Sequence, residues 1–190
     1  GNRAGNDAPP TVQEVRSTLN LVQADADVST EIADDEPDTP GLRVSPQGTQ
    51  SVRNINFNNE GLIGSVNVRE YNNPPQEIRS SVSQSISSAG AVERGDVSVT
   101  SVADITPDNE AAEDSPATVT FAVPASEVDN PDQLTVFKET YSQEQQEDTW
   151  TELDTSVDNV GDEEITVSAR AESFSLFAVS EVEPAEVESA

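Results

Sequence analysis

The sequence predicts an all-β protein, an antiparallel β-sandwich with an extended N-terminal arm. Apolar and polar residues alternate with a period of two over many short runs, and turn-forming residues separate these runs. The only tryptophan and four of the five phenylalanines lie between residues 119 and 179, so most of the core should form there. About seven strands or more of this kind predict a sandwich that is immunoglobulin-like in style.

The predicted strands of the second half differ in whether one face or both faces should be buried. Residues 119–123 alternate and end at Pro124, which has no N–H for a strand ladder. Residues 134–138 are β-branched and aromatic, and residues 165–169 alternate again. Residues 174–179 are apolar on both parities, which predicts a central strand covered on both faces.

Trp150 and Leu153 lie in one short run but have opposite parity. Both can be buried only if a bulge or bend lies between them. The strand context of Trp150 favours a core role over a sugar-stacking platform. The predicted core motif is Phe121, Trp150, Leu153, Phe174 and Phe177.

Four motifs carry a resemblance to a known family. They are Val119-Thr-Phe121-Ala-Val123-Pro124, Leu134-x-x-Phe137-Lys138, Trp150-x-x-Leu153-x-Thr155 and Phe174-Ser175-x-Phe177-Ala178. With two upstream runs, residues 52–57 and 64–68, the chain resembles the PGF-pre-PGF domain of archaeal secreted and surface proteins. The resemblance implies a secreted or cell-surface β module, and it brings no catalytic residue. Residues 80–88 depart from the family pattern, because they are rich in serine where an aromatic strand is usual.

The charge balance indicates adaptation to high salt. Thirty-seven acidic residues face nine basic ones, which gives a formal net charge of −28, and the carboxylates are spread along the whole chain. Salt screens the self-repulsion of such a surface. The same charge argues against nucleic acid and against anionic membrane surfaces as partners, and no apolar run has the length of a membrane span.

The composition also bounds the chemistry. Cysteine, histidine and methionine are absent, so the chain has no disulfide, no Ser-His catalysis and none of the usual ligands for zinc or copper. We therefore expect no enzyme and no cofactor, with calcium as the one ion to consider, because hard cations bind oxygen-rich loops. One such loop holds Asp129, Asn130 and Asp132, and the other holds the calcium candidates Asp154, Asp158 and Asp162.

Residues 11–28 fit two interpretations. Apolar residues recur at helical spacing, and Thr11 with Glu14 has the spacing of a capping box. The same stretch alternates as a strand, with Leu19 and Leu21 on one face, and the strand is slightly favoured. A short strand of this kind needs a partner, and the open sheet edge of the next copy would supply one. The predicted self-assembly residues are Val12, Val15, Leu19, Leu21 and Val22.

Residues 52–57 and 62–70 read as a hairpin, while residues 77–89 fit a helix or a strand equally well. Three regions are predicted: residues 1–46 as arm and acidic linker, 47–180 as the β-sandwich domain and 181–190 as an acidic tail.

These features together predict an extracellular structural subunit at the cell surface of a halophilic archaeon. It would donate its N-terminal strand to the next copy and polymerise into a pilus-like filament or sheath, because a head-to-tail contact does not close. Its partners would be other copies of itself, with a surface glycan or the S-layer as a further contact. The alternative is an adhesion module that recognises a glycan or a surface protein, with Tyr71 and Tyr141 as exposed contacts.

Overall fold

The computed structural model describes residues 12–31, 43–44, 51–57, 64–71, 76–88, 97–108, 115–142 and 147–182. Its helices are α1 (Val12–Leu19) and α2 (Gln76–Ser88). Its strands are β1 (Ala26–Glu31), β2 (Arg43–Val44), β3 (Val52–Phe57), β4 (Ser65–Tyr71), β5 (Val97–Pro107), β6 (Ala117–Pro124), β7 (Leu134–Ser142), β8 (Glu147–Glu152), β9 (Asp154–Val160), β10 (Glu164–Ala171) and β11 (Leu176–Val182).

The strands form two sheets, which confirms the predicted β-sandwich. The six-stranded sheet has the order β1-β4-β5-β11-β7-β8, and the five-stranded sheet has the order β2-β3-β6-β10-β9. All the pairings between neighbouring strands are antiparallel. Leu153 alone separates β8, at one edge of the first sheet, from β9, at one edge of the second.

The inner core lies between the two sheets. Along β10 the residues alternate between buried and less buried positions, as expected for a strand with one face on a core. Aromatic rings in this core pack at a tilt, with centroids 5.5 Å apart for Phe57 and Phe174, which precedes β11, and 5.9 Å apart for Phe121 and Phe177. These separations lie in the range that aromatic pairs prefer.

A second apolar layer covers the other face of the six-stranded sheet, where α1 and α2 pack. In α2, Ile78, Val82 and Ile86 recur every four residues and are buried on one side of the helix. We call this layer the outer cluster; its buried members are Val12, Val15, Leu19, Tyr71, Ile78, Val82, Ile86, Val97, Val99, Val102, Phe137, Trp150, Leu176 and Ala178.

Strand β11 is covered on both faces, as its double apolar parity predicts. Phe177 and Val179 belong to the inner core, whereas Leu176 and Ala178 belong to the outer cluster. The strand pairs with β5 on one side and with β7 on the other, so it is also central in its sheet.

The bulge or bend predicted between Trp150 and Leu153 is not needed, because the pairing of β8 with β7 runs to Glu152 without a shift of register. Trp150 belongs to the outer cluster, while Leu153 is half-buried against the inner core. Opposite parity therefore suits both residues, because apolar layers lie on both sides of the six-stranded sheet.

The hairpin predicted from residues 52–57 and 62–70 is wrong. Strand β3 lies in the five-stranded sheet and β4 in the six-stranded sheet, so the two face each other across the inner core. Residues 58–63, where the turn was expected, lie outside the described residues. Of the two interpretations of residues 77–89, the helix is the one that forms.

The N-terminal region differs from the predicted extended arm. Residues 12–19 form a helix and not the favoured strand, because the helix places Val12, Val15 and Leu19 on one face that can be buried. Strand β1 pairs with β4 along its full length, so the six-stranded sheet begins well before the predicted domain boundary at residue 47. At the other end β11 continues to Val182, two residues beyond the predicted end of the sandwich at residue 180.

Candidate functional site

The predicted self-assembly residues lie in α1 and in the turn that follows it. Val12, Val15 and Leu19 are buried in the outer cluster, where α1 meets α2 and β8. Val22 is half-buried against the same cluster, whereas Leu21 is 85 % exposed. All of these residues except Leu21 therefore pack on the six-stranded sheet of the same chain. Residues 12–19 are a docked helix and not an unpaired strand.

Arg16 ties α1 to the sheet. Its Nε donates to both carboxylate oxygens of Glu139, at 2.9 and 3.0 Å, and its Nη2 donates to the same carboxylate. Its Nη1 donates to Asp104 Oδ2 at 3.2 Å. Because Asp104 is in β5 and Glu139 is in β7, the guanidinium bridges the two strands that flank β11. We call Arg16, Asp104 and Glu139 the latch.

The latch is partly buried. The side chains of Arg16, Asp104 and Glu139 are 35 %, 24 % and 8 % exposed, respectively. The hydrogen bonds to Glu139 raise the pKa of Arg16 above its ordinary value, although burial opposes part of this rise. A forked guanidinium contact with a shielded carboxylate is stronger and more directional than a surface ion pair.

The strand that follows α1 is fixed along the edge of the sheet. Strand β1 pairs with β4 from Ala26 to Glu31. Asn67 Nδ2 donates to Asp27 Oδ1 at 3.0 Å, and this hydrogen bond lowers the pKa of Asp27 below its ordinary value. Arg69 also pairs with Asp27, with Nη2 3.4 Å from Oδ2. Helix α1 and strand β1 thus form one terminal unit, residues 12–31, held on one face and one edge of the same sheet.

A buried carboxylate joins the two sheets. Glu70, in β4, is 0 % exposed and accepts hydrogen bonds from the backbone N–H of Ser51, at 3.1 and 3.0 Å, and from that of Val52, at 2.6 Å. These N–H groups lie at the start of β3 in the opposite sheet. Charge-assisted hydrogen bonds to backbone N–H groups are the means by which a buried carboxylate is tolerated.

A shallow cavity of about 260 Å³ opens next to this junction. The buried hydroxyls of Ser51 and Ser101 are 3.3 Å apart and line it, and Arg53 pairs with Glu164 at 2.7 Å on its wall. Polar hydroxyls beside a charged pair are groups that can hydrogen-bond to the hydroxyls of a sugar.

The calcium candidates lie along an exposed edge and are not brought together. Asp154 and Asp158 are in β9, and Asp162 is in the turn to β10; all three are exposed. Asp158 accepts a hydrogen bond from Ser168 Oγ. Throughout the described ranges, no three acidic side chains lie close enough to hold a metal ion. In the other acidic loop, the backbone N–H groups of Asp129 and Asn130 donate to the Glu181 carboxylate, at 3.1 and 2.7 Å.

The aromatic candidates are placed differently from one another. Trp150 is 2 % exposed and its Nε1 donates to Ser85 Oγ at 2.8 Å, which places it in the core and not on a sugar platform. Tyr71 is buried in the outer cluster, so its predicted exposure is wrong, and burial raises its pKa. The side chain of Tyr141 lies outside the part of the chain that the structure describes. Phe121, Phe174 and Phe177 lie in the inner core.

The cations are engaged with carboxylates or buried. Each arginine whose side chain is described pairs with a carboxylate: Arg16, Arg53, Arg69, Arg79 and Arg170. Lys138, the only lysine of the chain, is 6 % exposed, and its Nζ donates to the backbone carbonyl of Glu139 at 3.1 Å. Burial lowers its pKa. The exposed surface therefore carries a large excess of negative charge.

Sequence reasoning missed Glu70 and Glu139, because a single glutamate does not stand out in a chain with so many carboxylates. The sequence signal that identifies both is their position on the apolar face of a strand. Glu70 shares the inward face of β4 with Val66 and Val68, and Glu139 shares the outward face of β7 with Phe137. A glutamate at an apolar position of a strand should have a hydrogen-bonding partner.

Comparison of the chain with protein-family models, with curated proteins and with solved structures finds no match in any of the three. The fold and the geometry of the latch and cavity are therefore the basis for a functional proposal. No helix within the described residues is long and apolar enough to span a bilayer.

Proposed function

We propose that this protein is an extracellular structural subunit of a halophilic archaeon that assembles with copies of itself into a filament or sheath. The observation that carries the proposal is the terminal unit of residues 12–31, which attaches to the six-stranded sheet as an edge strand, with Val28 packed against the inner core, and as a helix on the outer face. Such a unit can dock on a neighbour through the same contacts, and exchange of an identical element is a low-cost route to assembly.

The donated element in this proposal is a helix followed by a strand. It replaces the donated strand predicted from the sequence, since residues 12–19 are helical. Strand β1 would complete the edge beside β4 of the neighbour, and α1 would cover the neighbour's outer cluster. If each copy donates to the next and receives from the one before, the assembly stays open and grows as a fibre.

The surface charge supports the halophilic part of the proposal. Every arginine whose side chain is described is engaged with a carboxylate, and the net charge of the chain is −28. Copies with this charge repel one another in dilute buffer, whereas molar salt shortens the screening length to about 3 Å. Assembly in this proposal therefore requires high salt.

The resemblance to the PGF-pre-PGF domain supports the extracellular, cell-surface location. The motif residues of that resemblance lie in β6, β7, β8, β9 and β11 or directly beside these strands, and the large apolar residues among them belong to the two apolar layers. In this proposal the protein is not an enzyme and needs no cofactor, and its acidic surface does not bind nucleic acid or insert into membranes. Its role is mechanical, through packing and pairing.

The cavity beside Ser51 and Ser101 favours a second candidate function, that of an adhesion module. Hydroxyl and charged groups line part of this cavity of about 260 Å³, and such groups can hydrogen-bond to a single sugar unit. This candidate predicts a monomer that binds a surface glycan, while the structural proposal predicts a polymer of the protein alone.

Electron microscopy and sedimentation of the purified chain in molar and in millimolar salt test the proposal. We expect filaments in molar salt and monomers in dilute buffer. A variant lacking residues 1–31 should not polymerise, and it should bind a peptide of residues 12–31. Filaments that survive the deletion, or a chain that is monomeric at every salt concentration, would overturn the proposal. A monomer that binds monosaccharides would support the adhesion module instead.

A further inference from the structure

The latch has the geometry of a recognition element. One arginine of α1 meets a largely buried carboxylate in β7 and a second carboxylate in β5, and apolar residues of the same helix enter the outer cluster. A forked guanidinium fits a carboxylate in only a few orientations, so it fixes the helix along its axis and in rotation. Apolar packing alone restrains the axial position and the rotation of the helix less strongly.

Helix α1 has only eight residues. Helices shorter than about 12–15 residues are marginal in water, so α1 is stable only when docked. A copy whose α1 leaves its sheet exposes an apolar face together with Glu139 and Asp104. A second copy of the chain carries the one segment already shaped for that face, with Val15, Arg16 and Leu19 at matching positions.

We propose that Arg16 determines which surface α1 recognises, and that this surface is the Glu139–Asp104 face of a second copy. The inference rests on the proposed function and deepens it, because it names the residues that select the partner. The contact replaces the same contact within one chain, so neither copy gains an unpaired charge.

A pair of charge-reversed chains tests this recognition. In the Arg16→Glu variant, residue 16 repels Glu139 of its own chain, and in the Glu139→Arg variant, residue 139 repels Arg16 of its own chain. Each variant alone should lose assembly and release α1. In a mixture, the intact α1 of the Glu139→Arg chain meets the intact face of the Arg16→Glu chain, which restores the native latch between two copies.

The expected result is that neither variant associates alone and that the equimolar mixture in molar salt forms heterodimers or longer chains. Sedimentation measures the association. The fluorescence of Trp150, the only tryptophan, reports whether the outer cluster is covered again. Circular dichroism checks that each single variant keeps its β-sheet signal, and Arg16→Gln serves as a milder variant if the reversal unfolds the chain.

Arg170→Glu is the matched control. It makes the same change of charge at an exposed ion pair with Glu172, on the five-stranded sheet and away from both the latch and the cavity, so it should assemble as the unaltered chain does. If the single Arg16→Glu chain assembles normally, or if the mixture stays monomeric while the unaltered chain polymerises, the inference is wrong and the proposed function survives. If the mixture forms heterodimers while the unaltered chain is always monomeric, the recognition stands and the filament proposal fails.

Discussion

Trp150 and Phe177 are large buried side chains, one in each of the two apolar layers. Trp150 is 2 % exposed in the outer cluster and is hydrogen-bonded to Ser85, while Phe177 is 0 % exposed in the inner core and packs on Phe121. Truncation of a large buried ring leaves a cavity that the surroundings fill only in part.

We expect Trp150→Ala and Phe177→Ala each to lower the free energy of unfolding by about 3–5 kcal/mol, measured by urea denaturation. Trp150→Phe is the control, because it keeps most of the ring volume while it removes the N–H, and it should cost clearly less. A marginal cost for Trp150→Ala together with loss of binding to a glycan would instead place Trp150 in a surface site.

Lys138 should make stability depend on pH in the alkaline range. Burial lowers its pKa in the folded state below the ordinary value of 10.5. Between the folded pKa and 10.5 the unfolded chain binds more protons than the folded chain, so the free energy of unfolding rises with pH in that window. Below the window the cost of the buried charge is constant.

Lys138→Met should remove this rise and leave the chain at least as stable at neutral pH, as measured by urea denaturation at several pH values. The measurements should stay below pH 10, because burial raises the pKa of Tyr71 above 10.0 and stability falls as pH passes that ordinary value. An identical pH dependence in Lys138→Met and the unaltered chain would contradict the assignment.

At the scale of elements, α1 and β1 form a terminal unit on a sandwich whose remaining strands pair with one another. The inner core is buried between the two sheets and includes no residue of α1 among its members. The outer cluster, by contrast, depends on the helices for its cover. This difference is the physical reason why α1 is central to the proposed exchange between copies, whereas Val28 of β1 packs against the inner core.

The neighbouring leucines of α1 and its turn provide a matched pair. Leu19 is 3 % exposed in the outer cluster and Leu21 is 85 % exposed. We expect Leu19→Ala to cost about 2–5 kcal/mol, or to free α1 for protease cleavage. Leu21→Ala should stay within about 0.5 kcal/mol of the unaltered chain. Equal effects at the two positions in urea denaturation and limited proteolysis would show that α1 does not dock as described.

At the scale of the whole molecule, the net charge of −28 sets the conditions under which the fold is stable. Self-repulsion among surface carboxylates opposes the compact state, and salt screens it. The melting temperature, followed by circular dichroism, should be higher in molar than in millimolar sodium chloride. Sucrose, which does not screen charge, is the control and should give a smaller gain. A melting temperature that does not change with salt would exclude this account of the acidic surface.

The sequence by itself determined the sandwich and its central strand. Period-two alternation assigns most strands locally, and a double apolar parity such as that of residues 174–179 means two covered faces wherever the strand lies. Composition alone also favours the pairing of arginines with carboxylates, because carboxylates far outnumber cations. These properties depend on residues that are adjacent in the sequence or on the numbers of acidic and basic residues, and both can be read from the sequence.

Only the tertiary structure decided what lies on each face. Residues 12–19 satisfy both periodicities, and the helix prevails because a second apolar layer exists to receive Val12, Val15 and Leu19. The same layer lets Trp150 and Leu153 face opposite ways without a bulge. Arg16 and Glu139 are 123 positions apart, so their contact depends on how the helix docks on the sheet. Local pattern cannot specify it, because register and docking arise from packing between distant segments.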